Sequence, residues 1–273
     1  MLNLIIGKNS NLSHSLDKKL ENVILISTKD VSGNIDILAP YQEKEVNIIF
    51  NNFQTATKLG DISDPKSYIE YSIGSTSKVL KYAQENNLKI NKIIYTSSSS
   101  VYGNNILCKE SDELKPTSLH ASLKVANERL VGQYCLENQI DYTIARIFNM
   151  YGGDDRFSVI SKILHCYANG LKFTVANHGS AIRDFINIED VVLIYEKLLK
   201  TTNVPILNLG TGEGVSIKNI IDFLKIHEIH LKVDNVTKEE IKMSTADNSL
   251  LINGLHVDTF MNVESYLLEQ ISK

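Results

Sequence analysis

Short apolar runs alternate along this chain with longer stretches whose apolar residues recur every three or four positions. Leu2 to Ile6 is the first run, closed by Gly7, and it reads as a buried parallel strand. A helical stretch follows through Leu20. Val23-Ile24-Leu25-Ile26 predicts a second strand and Val46-Asn47-Ile48-Ile49-Phe50 a third, with only a short segment between them. Asp64-Pro65 opens a helix from about Lys66 to Asn86, with Pro near its start, where a missing N–H costs nothing. Ile93-Ile94-Tyr95 begins the next strand, and Pro116-Thr117-Ser118 supplies the start signals of a helix that carries Lys124. Tyr142 to Arg146 predicts another strand. A helix at Ser158 to Ala168, a short strand at Lys172 to Val175 and a helix at Val191 to Leu199 come next. A strand begins at Ile206, and Val215-Ser216-Ile217 opens a helix to Lys225. A polar segment, Asp234 to Asn248, precedes a final helix from Asn262. This alternation predicts an α/β protein built on a doubly wound parallel sheet.

Composition narrows the reading. The chain has 273 residues, enough for one large domain or two unequal ones, and 43% are hydrophobic, enough for a well-buried core. A net charge of -4 leaves no basic footprint for nucleic acid. Cys108, Cys135 and Cys166 are scattered and odd in number, which points to a reducing compartment with no disulfide framework and no metal cluster. Met1-Leu2-Asn3-Leu4-Ile5-Ile6 lacks the basic start of a signal peptide, and no apolar run approaches the ~18 residues of a membrane span. The expectation is a soluble cytoplasmic protein.

The candidate chemistry lies at the ends of the strands. Ile93 to Gly103 runs from an apolar strand into a row of hydroxyls, Ser97 to Ser100, and then into Val101-Tyr102-Gly103. Hydroxyls at the end of a buried strand are held in place, as a site that binds a substrate oxygen requires. His120 and Lys124 follow at i, i+4 spacing, on one face of a helix. Gly7-Lys8-Asn9-Ser10-Asn11-Leu12-Ser13 joins a strand to a helix, the context in which dinucleotides bind. The second strand ends in Ser27-Thr28-Lys29, with no acid there for a ribose 2′-hydroxyl. Two hydroxyls and a cation suit a 2′-phosphate. Arg183 is one of few arginines, and its fork suits phosphate.

Together these segments resemble the extended short-chain dehydrogenase/reductase family, in its nucleotide-sugar epimerase, dehydratase and reductase branch. The resemblance rests on Ser97 to Gly103, on Lys124-Val125-Ala126-Asn127-Glu128, on Arg146-Ile147-Phe148-Asn149-Met150-Tyr151-Gly152, on Arg183 to Val191 and on Asn208 to Gly214. It covers nearly the full length. Ser10 and Ser13 stand where the family's loop has its second and third glycines, His120 where it has the catalytic Tyr, and Gly153 where a Pro usually follows.

The resemblance implies a Rossmann-like dinucleotide-binding domain over residues 1–150, with a strand near 206–210 returning to its sheet, and a smaller substrate-binding lobe over 151–273. It implies that Ser98, His120 and Lys124 are catalytic. It places a cofactor, NADP by the Lys29 signal with NAD as the alternative, against Gly7, Asn9, Ser10, Leu12, Ser27, Thr28, Lys29, Asn52, Phe53, Thr96 and Lys124. It assigns Ser98, Ser99, Asn149 and Arg183 to a nucleotide-sugar substrate. The implied partners are that substrate and a second copy of the chain in a homodimer, with no nucleic acid, membrane or metal. The implied reaction is reduction of a 4-keto-6-deoxyhexose nucleotide, for which the chain's length is also closer to the family's reductases. A 4-epimerase stays open, as does a family member that binds ligands without hydride chemistry. A 4,6-dehydratase is disfavoured, because Ser99 and Ser100 stand where that reaction needs an Asp-Glu pair.

Overall fold

The computed structural model describes residues 1–52 and 63–273, so Phe53 lies outside the described residues. In chain order the first elements are β1 (Leu2–Ile6), α1 (Asn11–Lys19), β2 (Val23–Ile26), α2 (Thr28–Gly33) and β3 (Val46–Phe50). Then come α3 (Pro65–Ile69), α4 (Ser75–Glu85), β4 (Ile90–Ser98), β5 (Leu107–Cys108), α5 (Leu119–Glu137), β6 (Asp141–Ile147) and β7 (Asn149–Tyr151). The rest is α6 (Val159–Ala168), β8 (Lys172–Ala176), β9 (Ile182–Asn187), α7 (Ile188–Leu198), β10 (Ile206–Leu209), β11 (Gly214–Ser216), α8 (Ile217–Ile226), β12 (Lys232–Val236), β13 (Met243–Ala246), α9 (Ser249–Leu255) and α10 (Val263–Ile271).

A six-stranded sheet has the order β10-β6-β4-β3-β1-β2. β1 pairs in parallel with both β2 and β3, and β3 in parallel with β4. The chain thus leaves β1 toward β2 and returns to its other side for β3. That reversal is a topological switch point, and ligands bind outside the carboxyl ends of the strands there. The strands are near-continuous apolar runs because both faces are covered: the adjacent residues Leu4 and Ile5, Ile48 and Ile49, and Ile93 and Ile94, which point to opposite faces, are all buried. At the other end of these strands the Asn47 amide donates to Asn3 Oδ1 at 2.9 Å, and the Asn91 amide donates to Asn47 Oδ1 at 3.0 Å. This is the doubly wound α/β sheet that the spacing of apolar runs predicts, and the Rossmann-like fold that the resemblance implies.

Two compact units interleave along the chain. The first comprises Met1–Val101, Leu114–Arg146 and Val192–Leu207, and the second Tyr102–Glu113, Ile147–Val191 and Asn208–Lys273. The second unit has its own five-stranded sheet, β11-β9-β13-β5 with β7 on β9, a parallel β12–β8 pair, and a core that includes Tyr151, Ile163, Phe185, Leu224 and Leu267.

The elements depart from the sequence reading in several places. The helix expected from Lys66 to Asn86 is interrupted by a π-helical turn at Glu70–Gly74. The short segment after β2 forms α2, capped by Ser27, whose hydroxyl accepts from Asp30 N at 3.0 Å. The polar segment 234–248 holds part of β12 and all of β13, and α9 follows it. Among the described residues no helix is long and apolar enough to cross a membrane.

Candidate active site

The β1–α1 turn begins at Gly7, whose φ of +118 is open to glycine and rare for other residues. A Cβ built there would lie 2.2 Å from the Asn51 carbonyl oxygen, so the turn and the end of β3 meet as bare backbone. Ser10 caps α1: its hydroxyl accepts from Ser13 N at 3.0 Å and donates to Ser13 Oγ at 2.8 Å. Ser13 is fully buried, its hydroxyl donating to the Gly7 carbonyl at 2.9 Å and accepting from the Asn51 amide at 3.1 Å. Two serines at glycine positions therefore tie the turn together through side chains. Leu12 is buried beneath it, and Asn9 is exposed.

From Asn51 the polar contacts run on into β4. Thr96 donates its hydroxyl hydrogen to Asn51 Oδ1, and its oxygen lies 2.6 Å from the Tyr195 hydroxyl. The Thr96 carbonyl accepts from Lys124 Nζ at 2.7 Å. Gly7, Ser10, Thr96 and Lys124, all predicted site residues, are thus joined in one buried chain of contacts. Its connecting members Ser13, Asn51 and Tyr195 were not among them. The signal for Asn51 was a polar residue directly after the apolar run Ile48-Ile49-Phe50, an amide that must find partners once buried. Asn52 is also buried, its amide donating to the Ser72 carbonyl and to Thr76 Oγ1, both at 3.0 Å. Ser72 belongs to the π-helical turn, so that irregular turn is anchored on the end of β3.

α5 carries Lys124 to this position. Ser118 caps the helix, its hydroxyl accepting from Ala121 N at 3.2 Å. Farther along, Glu128 accepts from the Ser97 hydroxyl of β4, and Arg146 Nη2 of β6 donates to Glu128 Oε2 at 2.7 Å. The Lys-x-x-x-Glu spacing therefore has a physical meaning, with Glu128 tying α5 to β4 and β6 and Lys124 reaching the Thr96 carbonyl. Lys124 Nζ also lies 5.0 Å from the centre of the Tyr95 ring. Burial pushes the Lys124 amine down to about 7, opposed by the Glu128 charge. His120, one turn earlier and half-buried, is pushed down to about 4, by burial first and the Lys124 charge second. Desolvation is therefore the larger cause, and the like charge one turn away the smaller.

β4 ends at Ser98, and Ser99–Tyr102 turns in a 3₁₀ helix. The Ser98 hydroxyl accepts from Ser100 N at 3.2 Å, while the buried Ser100 hydroxyl has no hydrogen-bond partner. Ser98 and Ser99 are half-buried. At the end of β2, Thr28 is half-buried and Lys29 exposed in the first turn of α2.

Asn149 and Arg183 belong to the second unit. The Asn149 amide donates to the Asp184 carbonyl at 2.9 Å, holding β7 on β9. Arg183 Nη2 lies 3.4 Å from Glu240 Oε2. Between Arg183 and Phe185, Asp184 is fully buried and accepts from Thr211 N, Thr211 Oγ1, Gly212 N and Ala246 N at 2.8, 2.8, 3.0 and 3.1 Å. Asn208 is likewise buried, accepting from the Tyr102 hydroxyl at 2.6 Å and donating to the Cys108 carbonyl at 2.8 Å. The motif residues around Arg183 and Asn208 thus build the second sheet as well as any site on it.

A doubly wound parallel sheet, with a glycine turn at its switch point and a buried helical lysine held on the Thr96 carbonyl of β4, defines a Rossmann-like α/β protein. Residues 7–210 match the sequence profile of the NAD-dependent epimerase/dehydratase family, and the chain belongs to that family. An uncharacterized protein of Methanocaldococcus jannaschii is 31% identical over 217 residues, 76% of this chain and 64% of that protein. Protein CapI of Staphylococcus aureus is 29% identical over 62% of this chain and 52% of its own length. For a UDP-glucose 4-epimerase of Halalkalibacterium halodurans the values are 29%, 59% and 54%. The match thus spans between about half and two thirds of these relatives. Among solved structures, MoeE5 in complex with UDP-glucuronic acid and NAD has a TM-score of 0.87 at 18% identity, covering 100% of this chain and 98% of that one. A UDP-glucuronic acid 4-epimerase from Bacillus cereus, in complex with UDP-glucuronic acid and NAD, has a TM-score of 0.84 at 19% identity, with coverage of 100% and 98%. At such identities these structures speak for the fold alone.

Proposed function

We propose that the chain is a nicotinamide-dinucleotide-dependent oxidoreductase of a nucleotide-linked sugar, and that it reduces a 4-keto-6-deoxyhexose nucleotide. The observation that carries this reading is the β4–α5 junction. There Lys124 is held on the Thr96 carbonyl, one turn from His120, on a helix fixed by Glu128.

The residues present fit the cofactor, since Gly7 leaves the backbone open where a side chain would collide with Asn51. Gly7 and the amino end of α1 would take the pyrophosphate, Ser27, Thr28 and Lys29 the adenosine ribose and its 2′-phosphate, and Lys124 the nicotinamide ribose. When bound, the dinucleotide supplies the hydride that reaches carbon 4 of the sugar. Ser98 would hydrogen-bond the carbonyl oxygen. His120 would donate the proton that this oxygen takes up as it becomes a hydroxyl. Asn149 and Arg183 would contact the diphosphate.

A second reading, 4-epimerisation, is favoured by one observation. Burial keeps His120 neutral at neutral pH. That form would accept the proton of a sugar 4-hydroxyl as carbon 4 gave up its hydride to an oxidised nicotinamide dinucleotide. The imidazolium would return the proton to the 4-keto oxygen when the same hydride was given back to the opposite face.

The test is to incubate the protein with NADPH or NADH and a 4-keto-6-deoxyhexose nucleotide, and separately with NAD and UDP-sugars, following products by NMR. Reduced nicotinamide consumed in step with the keto sugar supports the reductase. Interconversion of two UDP-sugars with no net change in nicotinamide supports the epimerase and rejects the reductase. Binding of these ligands without any product rejects both.

A further inference from the structure

We infer that Glu240 is a specificity-determining residue, which makes the Arg183 site discriminate between a nucleotide sugar and the free nucleoside diphosphate. The inference rests on the reading above, in which Arg183 contacts the diphosphate.

Arg183 is engaged on two sides within its own unit. Nη1 donates to the Ile182 carbonyl at 2.8 Å, and Nη2 stands 3.4 Å from Glu240 Oε2. The two side chains are 19% and 24% exposed, so the pair is largely withdrawn from water but still reachable by a ligand. Glu240 is positioned by more than its attraction to Arg183. The Asn177 amide donates to Glu240 Oε1 at 2.9 Å and to the Lys238 carbonyl at 2.5 Å. Lys238 N donates back to Asn177 Oδ1 at 3.2 Å. Asn177 has a φ of 46, a left-handed conformation that Asn tolerates better than most residues. Ile182 N donates to the Lys242 carbonyl at 2.9 Å, which fixes the far side of the same loop to β9. The carboxylate therefore stands beside the guanidinium before any ligand arrives.

This placement changes what the arginine selects. An isolated guanidinium attracts whichever phosphate carries the most charge. A guanidinium beside a fixed carboxylate is close to neutral as a pair, so each further negative charge on a ligand gains less and meets repulsion. A nucleotide sugar carries about two negative charges on its diphosphate. A free nucleoside diphosphate carries nearly three, because its terminal phosphate has a second ionisation near neutral pH. Glu240 thus penalises the free diphosphate more than the sugar ester. The fork of Arg183 still provides hydrogen bonds to the phosphate oxygens that both share.

The test is calorimetric titration of the full chain, the Glu240→Gln variant and the Glu240→Asp variant. The probes are UDP-glucose with UDP, and dTDP-glucose with dTDP. The expected result is that Glu240→Gln tightens binding of the free diphosphate by about five-fold while the sugar ester changes about two-fold or less, the scale of one partly exposed charge pair. The gain shrinks as salt is added. Glu240→Asp keeps the parent's preference, and adding Arg183→Ala to Glu240→Gln removes the gain. The comparison is between two ligands on one protein, so partial loss of fold cannot imitate it. Equal changes for ester and diphosphate, or no change in either, would overturn this inference while leaving the reading of Arg183 standing. Failure of parent and variants to bind any of the four probes would overturn both.

Discussion

Arg146 of β6 and Glu128 of α5 form a buried ion pair, Nη2 to Oε2 at 2.7 Å, with side-chain exposures of 3% and 5%. The pair also takes in the Ser97 hydroxyl of β4, so it joins the helix that carries His120 and Lys124 to two strands. Removing one partner strands the other charge in the interior. Arg146→Ala is expected to cost about 3–5 kcal/mol of stability. Chemical denaturation measures this, and a cost no larger than that of a surface substitution would show the pair to be energetically idle.

Gly7→Ala tests the turn. The new methyl would meet the Asn51 carbonyl at 2.2 Å, and φ of +118 is strained for alanine. The backbone strain alone is expected to cost about 1–3 kcal/mol. The collision should also shift Asn51, which holds both Ser13 and Thr96. Dinucleotide affinity is expected to fall more than stability does. Unchanged cofactor affinity in a folded variant would place the cofactor elsewhere.

His120 gives stability a defined pH dependence. Its folded pKa of about 4 lies below the ordinary value of 6.5, so between these values the unfolded chain binds more protons than the folded one. Stability from this group is present above pH 6.5 and is lost as pH falls through about 4. His120→Gln should flatten the unfolding midpoint over that window. Lys124, lowered from 10.5 to about 7, makes stability rise between those values, and Lys124→Met should remove that slope. For catalysis the sign is opposite under the reductase reading. Turnover should rise as pH falls below 8, following the imidazolium fraction, and His120→Ala should lose about 10²-fold or more and the slope with it.

Lys29 is exposed at the end of β2, so its charge acts through water. Lys29→Ala is expected to weaken NADPH only a few-fold, an effect of about 1 kcal/mol, and NADH less. Equal weakening of both would remove the 2′-phosphate from this position.

The alternation of apolar runs made β1, β2, β3 and β6 legible because each carries its own hydrophobic content, even β2, which stands at the sheet edge and is only partly buried. Ser118 was legible as a helix start signal and Asn262 as the start of the final helix; both cap their helices, and Ser10 caps α1. β12 was not legible: all five of its residues, Lys232 to Val236, are exposed, and only pairing with β8 makes them a strand. β13 is made of Met, Ser, Thr and Ala, whose strand state follows from neighbours distant in sequence. The candidate site divides the same way. Gly7 and Lys124 were visible as motif positions. Asp184 lay in plain view within its motif, but its work of gathering four donors depends on a loop and a strand from much later in the chain.

The Asn3–Asn47–Asn91 row bears on how the strands find one another. A parallel sheet of similar Val- and Ile-rich runs offers nearly equivalent pairings, because one apolar side chain packs much like the next. The amides do not. A displacement of β1 or β3 by one residue would carry buried Asn3 or Asn47 to the opposite face and leave its amide without partners, at about 1–3 kcal/mol each, whereas Asn91 is exposed and would find water. The row adds little to the correct alignment that well-packed leucines could not. It acts by making misaligned sheets expensive, and it does so at the end of the strands away from the ligand, where such a constraint does not compete with binding.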